Sequence, residues 1–366
     1  MKHLPAIFIV CFLLFTFSCS TDNQDVQSTY FGITVRVDPA VELFCIIYRL
    51  AGIDQYQVNK FPRYISDIEN HFGQFRNHPA VKTAEKLRTE NRINGSAPMA
   101  LAVYLDAPPA LEGRNTLDPR PDDLDPRWSN QIIKEFIEAA GNFSKDTNFM
   151  QFFHAHKELY DQCVQNLSEK VKNKNIIPWF NKYFGYEPET YTMIIGMQTG
   201  HGNYGLRITN KDGSIEYISI IGATTPWWRK TPRFSENWIL PTVIHEFCHS
   251  YINPLVAEHD DELKEAGQTL FPLHRSKLLP QGYINYQIMF DEYLVRACTI
   301  RYLIEKKKFW QVEKQFRNDI KCGFPAIRGL VKIFDKYEEN RETYRDMADF
   351  IPEIVTYFNT YAASNQ

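Results

Sequence analysis

The sequence predicts an α+β fold, in which a mainly helical region over residues 30–172 precedes a region over residues 173–366 that combines a small β-sheet with further helices. Two observations lead to this prediction. Apolar residues such as Ile65, Ile68 and Phe72 recur at helical spacing in the first region. Three short stretches rich in β-branched and aromatic residues begin the second region. The length fits one large domain or two closely joined lobes.

The elements of the first region follow from local pattern and from proline placement. The cluster of prolines after Ala107 marks a loop. In chain order, we predict a strand over 30–37, an amphipathic helix over 39–51, helices within 60–90, a strand or short helix over 97–105, a loop over 107–128 and helical structure over 131–172.

Three strands are predicted in the second region, over residues 189–197, 204–209 and 215–221. The run Lys211-Asp212-Gly213-Ser214 is typical of a hairpin turn between the last two strands. Residues 215–221 are our candidate for an exposed edge strand, and an interior position is the equal alternative. A loop over 224–238 then leads into a helix.

That helix carries the run His245-Glu246-Phe247-Cys248-His249. Two histidines four residues apart lie one above the other on a helix face, so both can reach one metal ion. The glutamate after the first histidine is turned partly away, which suits a general base acting on a water at that metal. Zn²⁺ fits this donor set. The motif therefore indicates metal-assisted hydrolysis, most often of a peptide bond.

Flanking residues set the expected bounds of this helix. Pro241-Thr242 offers a start, and Asn253-Pro254 predicts the end, because the residue before proline leaves the α region.

A catalytic zinc site needs a third protein ligand, and Glu292 is the best candidate. It lies in a helical pattern that runs from Phe290 through Ile304. Arg296 follows four residues later on the same helix face and can orient the carboxylate. Asp291, His259 and His274 remain as alternative ligands.

The two-helix site resembles a known family. The runs His245 to Pro254 and Glu292 to Ala297, together with Val37 to Leu43 and Arg49 to Gly52, are similar to the DUF4932 group of bacterial proteins. This resemblance implies a zincin-like, gluzincin-type metallopeptidase. It implies one Zn²⁺ held by His245, His249 and Glu292, with Glu246 as the base, and it supplies no substrate. In zincins an edge strand binds extended peptide by strand addition.

Hydrolysis of this kind also needs a donor that stabilises the oxyanion. Tyr283, Tyr286 and His274 lie between the two metal-binding segments and are candidates for this role.

The N-terminal segment predicts the cellular location of the protein. Residues 1–18 combine a short basic start with an apolar run too short to span a bilayer, and Ser18 precedes Cys19. This pattern resembles a lipoprotein signal that is cleaved before Cys19, with residues 19–29 as a tether. Ordinary secretory cleavage and an uncleaved anchor are the alternatives. We expect a cell-envelope protein that meets the membrane only through its lipid.

Composition excludes other classes. The formal net charge is −3, which argues against a nucleic-acid partner. Apart from Cys11 and Cys19, five scattered cysteines form no CxxC pair, and a chain of this length needs no disulfide framework.

The expected function is therefore zinc-dependent hydrolysis of a protein or peptide outside the cytoplasm. The rival is an envelope-tethered binding or structural lipoprotein with a vestigial or structural zinc site. A third reading keeps the metal and hydrolyses another amide, such as a peptidoglycan stem peptide.

Overall fold

The computed structural model describes residues 27–30, 32–57, 61–114, 117, 119–121, 124–200, 202–223 and 233–365. Within them, fifteen α-helices and one five-stranded sheet confirm the α+β class. The strands are β1 (Gln27–Tyr30), β2 (Ile33–Arg36), β3 (Thr190–Gly196), β4 (Tyr204–Thr209) and β5 (Ile215–Gly222). The helices are α1 (Pro39–Leu50), α2 (Asp54–Gln57), α3 (Pro62–Phe72), α4 (Pro79–Glu90), α5 (Ala97–Ala102), α6 (Asn130–Asp146), α7 (Phe149–Ala155), α8 (Lys157–Val171), α9 (Ile176–Phe184), α10 (Glu236–Glu258), α11 (Asp260–Leu278), α12 (Tyr286–Glu305), α13 (Phe309–Cys322), α14 (Ile327–Glu339) and α15 (Met347–Ala363).

The first region matches its prediction in kind and differs in detail. The strand predicted over 30–37 is a hairpin of β1 and β2, because Gly32 turns the chain with a φ of 82°. Within the stretch 97–105, residues 97–102 form helix α5, and the stretch 131–172 contains three helices. The first of their breaks falls at Asn148, whose φ of 52° is left-handed.

The sheet has the order β1-β2-β3-β5-β4, so the edge position for residues 215–221 was wrong and the interior alternative is confirmed. Strand β5 lies inside the sheet, parallel to β3 and antiparallel to β4. It is buried along nearly its whole length, as an interior strand with a neighbour on both sides must be. Strand β4 is half-buried along most of its length and forms one edge of the described sheet, while β1 forms the other. The sheet includes strands from both sides of residue 172, because β2 lies in the first region. Residues 27–29, predicted as part of the tether, belong to β1 and pair with β2.

Helix α10 is longer than predicted. It includes Pro241, the expected start, and continues past Pro254, the expected end. Pro241 has no N–H to donate to the carbonyl of Asn237. The side chain of Gln311, 3.3 Å from that oxygen, donates to it instead. Burial on both sides of the prolines stabilises the longer helix, so tertiary packing outweighs the local stop signals.

The core extends through both regions, from Ile33 to Ala362. Its centre is the pair α10 and α12, which pack against each other while α10 also covers β4 and β5. The five cysteines of the described residues form no disulfide bond. They are Cys45, Cys163, Cys248, Cys298 and Cys322. Among the described helices, none combines the length and hydropathy needed to cross a membrane.

Candidate metal centre

The two histidines of the HExxH run share one face of α10, as their spacing predicts. Their ring centroids are 5.0 Å apart and their planes differ by 82°. Helix α12 begins at Asn285, whose side chain accepts a hydrogen bond from the N–H of Ile288. From this start, α12 presents Glu292 to the histidines of α10.

The three side chains converge on one point. Glu292 places Oε2 3.7 Å from His245 Nε2 and Oε1 3.5 Å from His249 Nε2. All three ligand atoms lie within 4.8 Å of one another. Tetrahedral zinc with bonds of about 2.0–2.1 Å separates its ligand atoms by roughly 3.3 Å, so these spacings fit a single ion. Buried Glu292 Oε2 accepts no well-aligned hydrogen bond among the described residues, although the Arg296 guanidinium forms an ion pair with it.

A hydrogen bond to Asn253 fixes the orientation of the His249 ring. Its Nδ1 lies 3.1 Å from Asn253 Oδ1, four residues later on α10. With Nδ1–H donating to that amide oxygen, Nε2 is the nitrogen left to bind a metal.

The alternative ligands lie elsewhere. His259 places Nδ1 3.3 Å from Glu262 at the surface, and His274 is half-buried on α11. Asp291 is close enough to interact with His249 and Glu292, but it does not belong to the converging group. Burial raises the pKa of Asp291 to about 7.

Arg296 supports Glu292, and Asp319 supports Arg296. The guanidinium places Nη2 3.0 Å from Glu292 Oε2 and donates through Nη1 to Asp319 Oδ1 at 2.6 Å. Its Nη2 also donates to the hydroxyl of Tyr283 at 2.9 Å. The ring of Phe324 lies under the cation, 4.5 Å from Cζ to centroid. A buried charge held on four sides in this way fixes the position of the Glu292 carboxylate.

The electrostatics of the centre favour a cation. Burial would raise the pKa of Glu292, but Arg296 and the two histidines outweigh burial and hold it well below its usual range. Burial would lower the pKa of His249, but the hydrogen bond and charge of Glu292 raise it to about 9. Burial lowers the pKa of His245 to about 3. The ionised Glu292 thus draws a proton to His249 where a metal ion would otherwise supply the positive charge.

Glu246 faces the edge strand. Its carboxyl accepts a hydrogen bond from the backbone of Gly205 on β4, and burial raises its pKa to about 8. A Cβ on Gly205 would lie 1.8 Å from the carbonyl oxygen of Glu246 and 2.8 Å from Cβ of His249, so only glycine allows this approach. The hydroxyl of Ser250 donates to the carbonyl of Leu206 at 2.8 Å and joins the same strand to α10.

The three oxyanion candidates separate in the structure. Tyr283 reaches the centre, because its hydroxyl contacts both Arg296 and Glu292. Tyr286 turns to α11 and donates to Asp260 Oδ2 at 3.1 Å. His274 lies on α11 with its pKa lowered by burial and by Lys277. The predicted lipidation at Cys19 lies outside the described residues.

Sequence reasoning missed three supporting residues. Asn253 had a usable signal, because it stands four residues after His249 on the same helix face. Asp319 had none, because it lies 23 positions after Arg296 on another helix. Gly205 is one glycine in a strand, which marks close backbone approach only once the partner helix is known.

Fold and centre together define a mixed α+β protein with two histidines and one glutamate converging between two packed helices. A family model described as a domain of unknown function, DUF4932, matches residues 33–357. The chain therefore belongs to the DUF4932 family, and the resemblance seen in its sequence is confirmed at that level. Searches of curated proteins and of solved structures gave no significant match.

Proposed function

We propose that this protein is a zinc metallopeptidase of zincin-like, gluzincin-type architecture. The observation that carries the proposal is the convergence of His245, His249 and Glu292, with the Glu246 carboxyl beside them. A site that only stabilised the fold would close its coordination with a fourth protein ligand and would gain nothing from Glu246.

The donor set favours zinc among divalent metals. Two imidazoles and one carboxylate are ligands that Zn²⁺ accepts at a catalytic centre, with one position left for water or substrate. When bound, zinc supplies a Lewis acid that polarises the scissile carbonyl and eases deprotonation of water. Arg296 keeps Glu292 ionised, and the contact between His249 Nδ1 and Asn253 leaves Nε2 as the nitrogen that would bind the metal.

Glu246 is the proposed general base. It accepts the proton of the attacking water and then delivers it to the leaving amine, so no second titrating group is required. Tyr283 is the proposed donor to the oxyanion, because its hydroxyl alone among the three candidates reaches the Glu292 carboxylate.

Strand β4 supports peptide as the substrate class. It is one of the two edges of the described sheet, it is half-buried, and it packs against α10 at Gly205. An extended peptide can pair with this edge by strand addition, which brings a backbone carbonyl alongside Glu246. We place the protein in the cell envelope, tethered through Cys19, with extracytoplasmic proteins or peptides as substrates.

The test combines metal content with hydrolysis. The chain from Ser20 onward is purified as wild type and as Glu246→Gln, then analysed by elemental mass spectrometry and screened against a peptide library. We expect about one zinc per chain in both proteins. Hydrolysis should occur in the wild type, disappear with chelator and return with zinc. In Glu246→Gln it should fall by at least about a hundredfold.

A zinc-replete, folded wild type that holds no metal would overturn the proposal. Zinc in both proteins with no hydrolysis of any peptide would favour the binding lipoprotein instead. Cleavage of stem peptides alone would narrow the substrate to the cell wall.

A further inference from the structure

Two adjacent aromatic side chains stand out at the surface. Phe309 is 63% exposed and Trp310 is 68% exposed, at the first turn of α13. Burial of such rings is strongly favourable, so two that remain in water side by side mark a contact surface. Trp238 is also exposed, on the first turn of α10. Gln311 joins the two helix starts by donating to Asn237.

The same surface carries a surplus of lysine. Phe309 directly follows Lys306, Lys307 and Lys308, and Lys314 lies over the Trp310 ring at 5.3 Å. We call Lys306 to Trp310, with Lys314, the KFW patch.

The acidic neighbours of the KFW patch are already matched. Glu236 accepts from Lys174 at 2.8 Å, and Glu305 lies 3.6 Å from Lys306. Glu313 is 2.8 Å from Arg328. Exposed Lys307, Lys308 and Lys314 therefore leave the patch positive, although the whole chain has a formal net charge of −3.

The backbone holds these side chains in place. Helix α12 ends in a Schellman motif, in which the N–H of Lys308 donates to Leu303 and the N–H of Lys307 donates to Ile304, each at 2.9 Å. Lys307 occupies the left-handed position with a φ of 55°, which favours glycine. Gly323 fills the corresponding position at the end of α13. A lysine thus stands where the backbone prefers glycine, and it adds a charge at the patch.

We propose that the KFW patch docks on an anionic lipid surface. Aromatic rings settle at the level of the lipid headgroups, and lysines beside them are attracted to anionic headgroups. A protein partner fits less well, because protein interfaces are depleted in lysine. Docking would hold the start of α10, the helix that carries His245 and His249, close to the membrane. The inference does not depend on catalysis.

The test measures flotation of the protein with lipid vesicles. The unlipidated chain from Ser20 onward is used, since it keeps every described strand and helix. Vesicles contain phosphatidylcholine alone or with phosphatidylglycerol. We expect binding to the anionic vesicles that falls at high salt. Lys307→Ser with Lys308→Ser should weaken it by about twenty-five-fold, or roughly fivefold for each lysine. Phe309→Ser with Trp310→Ser should weaken it by roughly tenfold for each ring.

The matched control is Ile284→Ser. Ile284 is also 63% exposed but lies outside the patch, so this variant should bind like wild type. Metal content and hydrolysis of soluble peptide should stay unchanged in every variant, which separates failure of docking from failure of the proposed function.

Three results would overturn the proposal. One is no binding to anionic vesicles, and another is binding that the patch variants leave intact. The third is a wild-type dimer, seen by sedimentation velocity, that becomes a monomer in Phe309→Ser with Trp310→Ser. That result would assign the patch to contact between copies of the chain.

Discussion

Two buried glutamates on different helices behave in opposite ways. Glu42 on α1 is fully buried and Glu292 on α12 is 6% exposed. Glu42 accepts hydrogen bonds from the N–H of Met197 at 2.7 Å and from the hydroxyl of Tyr64 at 3.0 Å. Burial still dominates there and raises its pKa to about 8. Glu292 has Arg296 beside it and remains ionised.

The difference shows what a buried carboxyl needs to serve as a ligand. Neutral donors do not compensate the loss of hydration, so Glu42 keeps its proton and acts as a neutral link between α1 and the end of β3. A guanidinium does compensate it, and only an ionised carboxylate can bind a metal. Arg296 in turn needs Asp319, so the ligand depends on a chain of charges that reaches α13.

The largest expected effect tests this contrast directly. Glu292→Gln keeps the shape of the side chain but removes its charge, and we expect zinc affinity to fall by more than about a hundredfold. Glu42→Gln makes the same change at a carboxyl that is already neutral, and it should keep wild-type zinc content. Elemental mass spectrometry and competition with a chromophoric chelator measure both. Equal metal loss in the two variants would contradict the contrast.

A smaller effect is expected one step behind the ligand. Asp319→Asn removes one of the two carboxylates that pair with Arg296. The guanidinium then relies on Glu292 alone and competes more strongly with the metal for it. Zinc affinity should fall by about 10–100-fold. The control is Asp335→Asn, because Asp335 also lies 2.6 Å from an arginine of α12, namely Arg301. That pair is remote from the ligands, and affinity unchanged by both variants would dissociate Asp319 from the metal centre.

The sequence predicted the ligands better than their support. The candidate ligands His245 and His249 follow from helical spacing alone, and Glu292 follows from its place in a helical pattern with Arg296 four residues later on the same face. The contact of Asp319 with Arg296 could not be predicted, because no local sequence pattern links residues on two different helices. The family resemblance implied the same three candidate ligands but did not indicate the residues that support them.

The errors in the fold have physical causes as well. Local signals predicted that α10 ends at Pro254. In the structure the helix continues past Pro254, because it packs on β4, β5 and α12. The sequence left an edge and an interior position open for β5, and its continuous apolar run is typical of an interior strand. Strand β4 is more polar and half-buried, which fits the edge that it forms.

Glu42 also predicts a pH effect. Burial raises its pKa from the ordinary 4.5 to about 8 in the folded chain, so the folded state holds a proton that the unfolded state releases. This contribution is fully present below pH 4.5 and is lost as pH rises to about 8. Over that window Glu42→Gln should reduce the downward slope of unfolding free energy by about 1.4 kcal/mol per pH unit.

Urea unfolding with chelator at several pH values measures the slope. Glu246 and Asp291 also have raised pKa values, so the slope should decrease in Glu42→Gln without vanishing. Parallel curves for the variant and the wild type would mean that Glu42 is ionised in the folded protein.

The smallest effect concerns the hydroxyl that contacts Glu42. Tyr64 donates to Glu42 and pairs with the hydroxyl of Tyr160 at 2.6 Å, all in the core. Tyr64→Phe removes this link and should cost about 1–2 kcal/mol of unfolding free energy. Tyr48→Phe is the control, because the Tyr48 hydroxyl is buried on α1 without a hydrogen bond in the described structure, so its loss should cost little. In a double-mutant cycle, Tyr64→Phe and Glu42→Gln should couple by about 1 kcal/mol, and additive effects would show that the neutral carboxyl does not depend on Tyr64.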